Sequence, residues 1–388
     1  MLGLDALVLI LQINQLSISY DEASLFFGEF SLLQLLVKFF VFLFGQNDFA
    51  LRLPMICMHI ASALLLYKIS QNYLKLQRNR LWLLLFFILL PGIISSAIIV
   101  NSAGLMIFGL LLFVYIYQNF ALKYSYIVLF LLMLSEGNFL FLFVSLAIFS
   151  LYAKNRNFLI LNIFLFAVSL FLYGIDTHGS PKGYFLDSIG LYAAIFTPIV
   201  FVYMVYALYR KFLTRDIDIL WFIATVTFII SLALSFRQRV GIEYFAPYLV
   251  LALPLMAQVF EHSYRVRLSI FRKRYKFIFI ISLIFLVANS ALVFFNKYLY
   301  LFIDEPKKHF SYKMHIAKEL SSALKKEGIN CIKADSKMSK RLQFYGVTKC
   351  NTYKLEENKR SDETLVNVTI SYRNKIIYFA NVTKGNNL

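Results

Sequence analysis

Charge is scarce in this sequence. Asp, Glu, Lys and Arg make up 15% of 388 residues, against about 25% in soluble globular domains. Tryptophan is nearly absent, with 2 residues beside 41 Phe and 25 Tyr. No Cys/His pattern with zinc spacing, no glycine-rich phosphate loop and no nucleophile elbow occurs anywhere in the chain. These absences exclude an ordinary soluble domain and the best-marked metal, nucleotide and hydrolase chemistries. What fills the chain is apolar: 60% hydrophobic residues and a mean hydropathy of +0.69. The apolar runs are too long for strands and too uniform for surface helices, so lipid is the expected solvent. The net charge of +18 raises nucleic acid as a partner, but the cations cluster in short loops between apolar runs, as topology determinants do. The N-terminus has no basic n-region, so no cleavable signal is expected.

Eleven spans are expected, near residues 3–17, 55–71, 81–99, 103–119, 124–136, 138–153, 157–174, 189–208, 217–235, 245–262 and 277–295. The short pairs around 98–103 and 135–138 read equally as re-entrant. With the N-terminus inside, the inner loops hold fifteen Lys and Arg residues and the outer loops five, Lys38, Arg52, Lys182, Arg237 and Arg239. The positive-inside rule then places residues 18–54 and everything from 296 onward in the periplasm. Ala23–Gly45 is apolar but interrupted by Glu29, Gln34 and Lys38, which fits a helix pair lying along the membrane surface. The expected organisation is a membrane domain over 1–295 and a small periplasmic α/β domain over 296–388. In that tail, His315–Lys326 reads as an amphipathic helix ended by Gly328, followed by strands near Cys331–Ala334, Val366–Tyr372 and Lys375–Ala380. Cys331 and Cys350 both fall outside, where a disulfide is permitted. Cys57 lies within a span.

Three polar clusters offer chemistry. Asp21-Glu22 are adjacent carboxylates just past the first span, where ionisable groups are costly and often functional. One of them can deprotonate an acceptor as general base while the other holds a cation or a basic partner. The same pair also reads as an N-terminal helix cap. Arg237 and Arg239, with Glu243 beside them, sit outside against the charge trend. Binding a lipid phosphate explains them, since arginine presents a planar fork to phosphate oxygens; headgroup snorkelling is the alternative. In the loop Asp176–Tyr184, His178 and Lys182 are candidates for phosphate or acceptor contacts, although a lone loop histidine is commonly just solvated. His59, inside the second span, reads as packed or hydrogen-bonded rather than catalytic.

Tyr20-Asp21-Glu22-Ala23, followed by Leu43-Phe44-Gly45-Gln46-Asn47-Asp48-Phe49-Ala50-Leu51-Arg52-Leu53-Pro54, resembles the first periplasmic loop of GT-C-type glycosyltransferases. That family includes the aminoarabinose transferases of lipid A, protein O-mannosyltransferases and rhizobial lipopolysaccharide transferases. Tyr244-Phe245-Ala246-Pro247-Tyr248 with Leu253-Pro254 is similar to the tract entering the penultimate helix. Ala334-Asp335-Ser336 and Leu342-Gln343-Phe344-Tyr345-Gly346 are similar to the small periplasmic domain. The resemblance implies an all-α polytopic fold with a small C-terminal α/β domain, in a bacterial inner membrane. It implies inverting transfer of one sugar from a polyprenyl-phosphate donor, such as an undecaprenyl-phosphate sugar, to a lipid A, glycan or protein acceptor. Asp21 would then be the base, and Glu22 its support or a ligand for a divalent cation. Arg52 would steady the loop or the donor phosphate, and Arg237 and Arg239 would hold the leaving phosphate. The sequence departs from the family in the second outer loop, Ile98–Ala103, which offers Asn101 and no carboxylate; Asp176 or Glu136 are possible substitutes. Two other functions fit a multi-span chain with outer arginines: a flippase of lipid-linked sugars, and a glycan ligase or polymerase. No internal repeat of the transporter kind is visible, and ligases place their large catalytic loop late in the chain.

Overall fold

The computed structural model describes residues 1–174, 183–357, 366–373 and 375–384. Helices cover the eleven expected spans, but those expected over 81–99 and 189–208 are each two helices, bent by 61° and 105° at the break, rather than one straight crossing. Among the described residues four helices are long and apolar enough to cross a membrane alone: Asp48–Ser70, Ser102–Asn119, Arg156–Tyr173 and Ser269–Phe294. Four bent pairs pass the same test together, and three shorter apolar helices, Leu122–Ser135, Gly137–Tyr152 and Ile219–Ser235, account for the rest. Helices are what lipid demands, because a backbone N–H or C=O without an internal partner costs several kcal/mol there. The breaks have local causes. Pro91 interrupts the Gln77–Ile98 stretch, and Thr197, at φ 64°, turns the chain by 105° before Pro198 opens the next helix. Polar caps start the helices after short loops: Asn101 accepts from the Gly104 N–H at 3.1 Å and Asp218 from the Trp221 N–H at 3.0 Å.

The chain divides into two compact units. The first comprises Met1–Asp5, Met55–Ala97 and Asn101–Ser290. Its core is a continuous apolar cluster that includes Phe87, Phe113, Phe143 and Leu253. Some polar groups inside it pair across helices: Tyr192 with Ser231 at 2.7 Å, and the Tyr248 hydroxyl donating to the Asn138 carbonyl at 2.6 Å. His59 pairs with Asp5 at 2.8 Å and stacks on Phe87, the hydrogen-bonded role its position implied.

The second unit comprises Ala6–Pro54, Ile98–Val100 and Ala291–Leu388. Here Ala23–Gly45 forms an elbow of two helices, Tyr20–Phe27 and Leu32–Phe44. Gln34 holds the elbow, its amide donating to the free carbonyls of Leu25 at 3.0 Å and Gly28 at 2.9 Å. A Cβ on Gly28 would meet the Ser24 carbonyl oxygen at 2.4 Å, so only glycine fits that corner. In the tail, helix Ala317–Lys326 ends at Gly328, whose φ of +74° no L side chain adopts readily. Three antiparallel strands, Tyr353–Glu357, Val366–Tyr372 and Lys375–Lys384, form a sheet with the last in the middle. Cys331 and Cys350 are joined as a disulfide. The tail differs from expectation in three places. Cys331–Ala334 forms only isolated bridges to Thr348 and Lys354. A helix covers Ser336–Phe344, and Tyr353–Glu357 supplies a strand in place of the missing one. Its one inward position is Leu355, packed among Leu320, Leu342, Val368 and Val382, too short a signal to read as a strand.

Candidate functional site

The acidic pair opens the Tyr20–Phe27 helix, and the first turn gives its two carboxylates opposite fates. Ser19 is the N-cap. Its hydroxyl accepts from the Glu22 N–H at 3.1 Å, and the Glu22 carboxylate accepts from the Ser19 N–H at 2.8 Å, which closes a capping box. Glu22 is completely buried, as is Arg52 from the start of helix Asp48–Ser70. Arg52 Nε donates to Glu22 Oε1 at 2.8 Å and Nη2 to Oε2 at 2.7 Å, a two-pronged ion pair. The Val100 N–H adds a fourth bond, to Oε1 at 3.0 Å. Burial alone would push the Glu22 carboxyl up. The guanidinium and the two backbone N–H donors overcome this and hold it below the usual carboxylate range.

Arg52 is saturated as well. Its remaining N–H groups donate to the carbonyls of Ile13 at 3.2 Å, Leu16 at 2.8 Å and Ser17 at 3.0 Å. An arginine has five such donors, and all five are used inside the fold. Expected at the donor phosphate or as a brace for the loop, Arg52 has the geometry of the brace. Likewise Glu22, expected beside Asp21 as a catalytic group or metal ligand, offers no free lone-pair direction to either task.

Asp21 is exposed, one residue round the helix, and only its backbone carbonyl is engaged, by the Ser24 hydroxyl at 2.9 Å. Among the described residues its carboxylate has no partner. Beside it, the ring of Tyr20 faces two exposed cations of the tail, Lys337 and Lys340, each 5.7 Å from the ring centre. The Ser336–Phe344 helix that carries them is locked to the same segment: Arg341 Nε donates to the Ile18 carbonyl at 2.9 Å. Tyr345 accepts from the Ile18 N–H at 2.8 Å and donates to Asp48 at 2.6 Å, and Lys318 pairs with the other Asp48 oxygen at 2.8 Å. Sequence reasoning named none of Asp48, Lys318, Arg341 or Tyr345 as site residues. Asp48 and Tyr345 do lie in the two motif tracts, which was the available signal.

In the first unit, Arg237 and Arg239 are exposed on the segment between helices Ile219–Ser235 and Ile242–Leu249, and Glu243 is exposed in the first turn of the second. Among the described residues neither arginine side chain makes a hydrogen bond or ion pair, although the Arg237 backbone N–H donates to the Leu234 carbonyl at 3.0 Å. His178, Lys182 and Asp176 lie outside the described residues. Asn101 serves as a helix cap. Glu136, in the break between two short helices, is half-buried and accepts from Asn138 at 2.9 Å. Burial raises its carboxyl above the usual range, against the hydrogen bonds from Ser102 and Asn138. No group of three or more His, Cys, Asp or Glu residues with metal-holding geometry occurs among the described residues.

No protein-family model and no curated protein sequence matches the chain. Solved structures do. The crystal structure of ArnT from Cupriavidus metallidurans bound to undecaprenyl phosphate superposes with a TM-score of 0.58, covering 98% of this chain and 96% of that one at 9% identity. The apo state of the same protein gives 0.57 with the same coverage at 10% identity. The chain has the GT-C fold of ArnT. The likeness runs almost end to end, the small C-terminal sheet included, so the all-α polytopic architecture with its α/β tail is established. At such identity it is the fold that is shared.

Proposed function

We propose that this chain is a glycosyltransferase that moves a single sugar, with inversion, from a polyprenyl-phosphate donor to an acceptor at the outer face of a bacterial inner membrane. Asp21 carries the reading. Its carboxylate is exposed and without a partner among the described residues, and its backbone is fixed by a saturated capping box and ion pair on the neighbouring residue. A free base on a rigid support is what general-base chemistry requires. The fold supplies the context, since the ArnT crystal structure that shares it holds undecaprenyl phosphate.

In this mechanism Asp21 takes the proton from an acceptor hydroxyl or amine as the heteroatom attacks the anomeric carbon. The bond to the donor phosphate breaks, and its electron pair leaves with the phosphate. Arg237 and Arg239, whose side chains have no hydrogen-bond or ion-pair partner among the described residues, are the candidates to neutralise the charge that develops on that leaving group. Glu22 and Arg52 are positioning residues that hold the Asp21 turn. Glu243, His178 and Lys182 are candidates for acceptor or phosphate contacts, and a divalent cation remains an optional partner of Asp21. The N-terminus lies in the cytoplasm, and the domain from 296 onward lies in the periplasm beyond the membrane domain of 1–295, as the lysine and arginine distribution directs.

The test is Asp21→Asn in membranes supplied with a polyprenyl-phosphate sugar, with thermal stability measured in parallel. Transfer falls by about 10²–10⁴-fold, the usual worth of a general base, while the melting temperature stays at the wild-type value because the side chain is exposed. Wild-type turnover by folded Asp21→Asn protein overturns the assignment. Mass analysis of the acceptor separates transfer of one sugar from ligation of a preassembled glycan.

A further inference from the structure

A large groove lies within the first unit, and none of the residues assigned above lines it. It has a volume of about 1220 Å³ and runs between helices Gln77–Leu89, Pro198–Leu213, Ala252–Val266 and Ser269–Phe294. That exceeds the roughly 300–1,000 Å³ of pockets for drug-sized ligands. Its wall is aromatic. Phe279 is packed by Trp82, Phe86 and Phe260 at centroid separations of 5.4, 5.2 and 5.3 Å.

The charge in the lining comes from near helix ends. Four cations line the groove, Arg78 from the first turn of Gln77–Leu89, Arg265 and Arg267 from the last turn and C-cap of Ala252–Val266, and Lys276 from the first turns of Ser269–Phe294, with Glu261 the one acidic residue in the lining. Glu261 pairs with Arg265. Arg267 lies over the Tyr275 ring, 4.4 Å from its centre, which holds the guanidinium at the rim while leaving its N–H groups available. Arg78 and Lys276 have no hydrogen-bond or ion-pair partner among the described residues. We infer that this groove binds a phospholipid with a net negative headgroup, its chains along the aromatic wall and its phosphate among Arg78, Arg267 and Lys276.

Bilayer chains alone would fill an apolar crevice without any charge in its lining. The excess of cations in the lining is what selects a headgroup, and basic pockets between helices on the cytoplasmic side are the setting in which anionic lipids are recognised. The four residues belong to the loops richest in lysine and arginine, which the positive-inside rule assigns to the cytoplasmic leaflet. The site is thus separate from the proposed chemistry and does not depend on it.

Native mass spectrometry of the full chain, purified with phosphatidylglycerol or with phosphatidylcholine, tests this. Wild-type protein retains phosphatidylglycerol in preference by roughly tenfold, and Arg267→Gln combined with Lys276→Gln abolishes the preference. Phosphatidylcholine retention by that double variant shows that the groove is still formed. Lys154→Gln with Arg156→Gln, on a different loop, leaves the preference intact. Equal retention of the two lipids by wild-type protein overturns the inference. So does a preference that survives Arg267→Gln/Lys276→Gln, or a polyprenyl phosphate that displaces phosphatidylglycerol at equal concentration.

Discussion

Arg52 and the pair Arg237 and Arg239 are arginines of the same expected kind, each a candidate for one phosphate, and the fold treats them oppositely. Arg52 is fully buried with every side-chain N–H donor used, all five of its acceptor contacts, two of them to Glu22, lying within forty residues of chain. Arg237 and Arg239 are exposed, their side chains with no hydrogen bond or ion pair among the described residues. The same contrast divides the acidic pair: Glu22 accepts four hydrogen bonds while the carboxylate of Asp21 accepts none. A saturated polar group is part of the scaffold. An unsaturated one on a rigid segment is what remains for a ligand. Charge type and position along the chain do not make that distinction; the count of partners does.

Removing the brace gives the largest effect. Arg52→Met leaves Glu22 buried and unpaired, and loss of one partner of such a pair costs about 3–5 kcal/mol. The purified variant therefore shows a melting temperature many degrees lower in detergent, with transfer lost alongside the fold. Glu22→Gln keeps the shape and the capping role in part but leaves the guanidinium uncompensated, so its loss is of the same order. Should Arg52→Met melt at the wild-type temperature and lose only donor affinity, Arg52 belongs with Arg237 and the contrast collapses.

Most of the fold was legible because lipid simplifies the problem. Runs such as Ser269–Phe294 admit only a helix, and the lysines and arginines between them set the order of loops. The tail was less legible for the same reason in reverse. Strand Tyr353–Glu357 has a single inward residue, and the Ser336–Phe344 helix carries three cations that mask its apolar face of Met338, Leu342 and Phe344. At the site, the sequence marked Asp21, Glu22 and Arg52 through one motif but not their separation into base and brace. That separation depends on carbonyls at Ile13, Leu16 and Ser17 and an N–H at Val100, backbone groups that carry no residue signature. The lock of Tyr345 and Lys318 on Asp48 joins positions some 270 to 300 apart in the chain, beyond the reach of any local pattern.

On the other side of the contrast, Arg237→Ala and Arg239→Ala leave stability within about 0.5 kcal/mol of wild type, as exposed substitutions without partners do. Their effect falls on the reaction: each lowers kcat/KM for the lipid-phosphate donor by about tenfold or more, about 1.4 kcal/mol or above. Arg237→Lys recovers only part of this because an ammonium lacks the planar fork. Unchanged kinetics in the double alanine variant would return these arginines to the headgroup-anchoring role and leave the donor phosphate without a candidate in this segment.

Acid separates the two regions most gently. The second unit carries a buried histidine whose charge changes with pH. His315 is buried, its Nδ1 hydrogen-bonded to the Tyr300 hydroxyl at 3.0 Å. Desolvation first, then Lys297 and His309, depress its pKa to about 3. The unfolded chain binds a proton near pH 6.5 while the folded chain stays neutral, so stability falls as pH drops below about 6.5 and continues to fall towards about 3. Between pH 7.5 and 5.5 that amounts to about 1 kcal/mol. Glu22 adds its own loss only at lower pH. Its depressed pKa leaves the ion pair intact above the ordinary carboxylate range, and the contribution disappears as pH falls through the folded value. Thermal melts at pH 7.5 and 5.5 read the histidine step; His309, whose pKa burial also lowers, adds to it, so His315→Gln reduces the step without removing it. A wild-type melting temperature that does not move over that interval would mean that His315 becomes protonated in the folded protein, and the second unit would then be more open to water than its packing indicates.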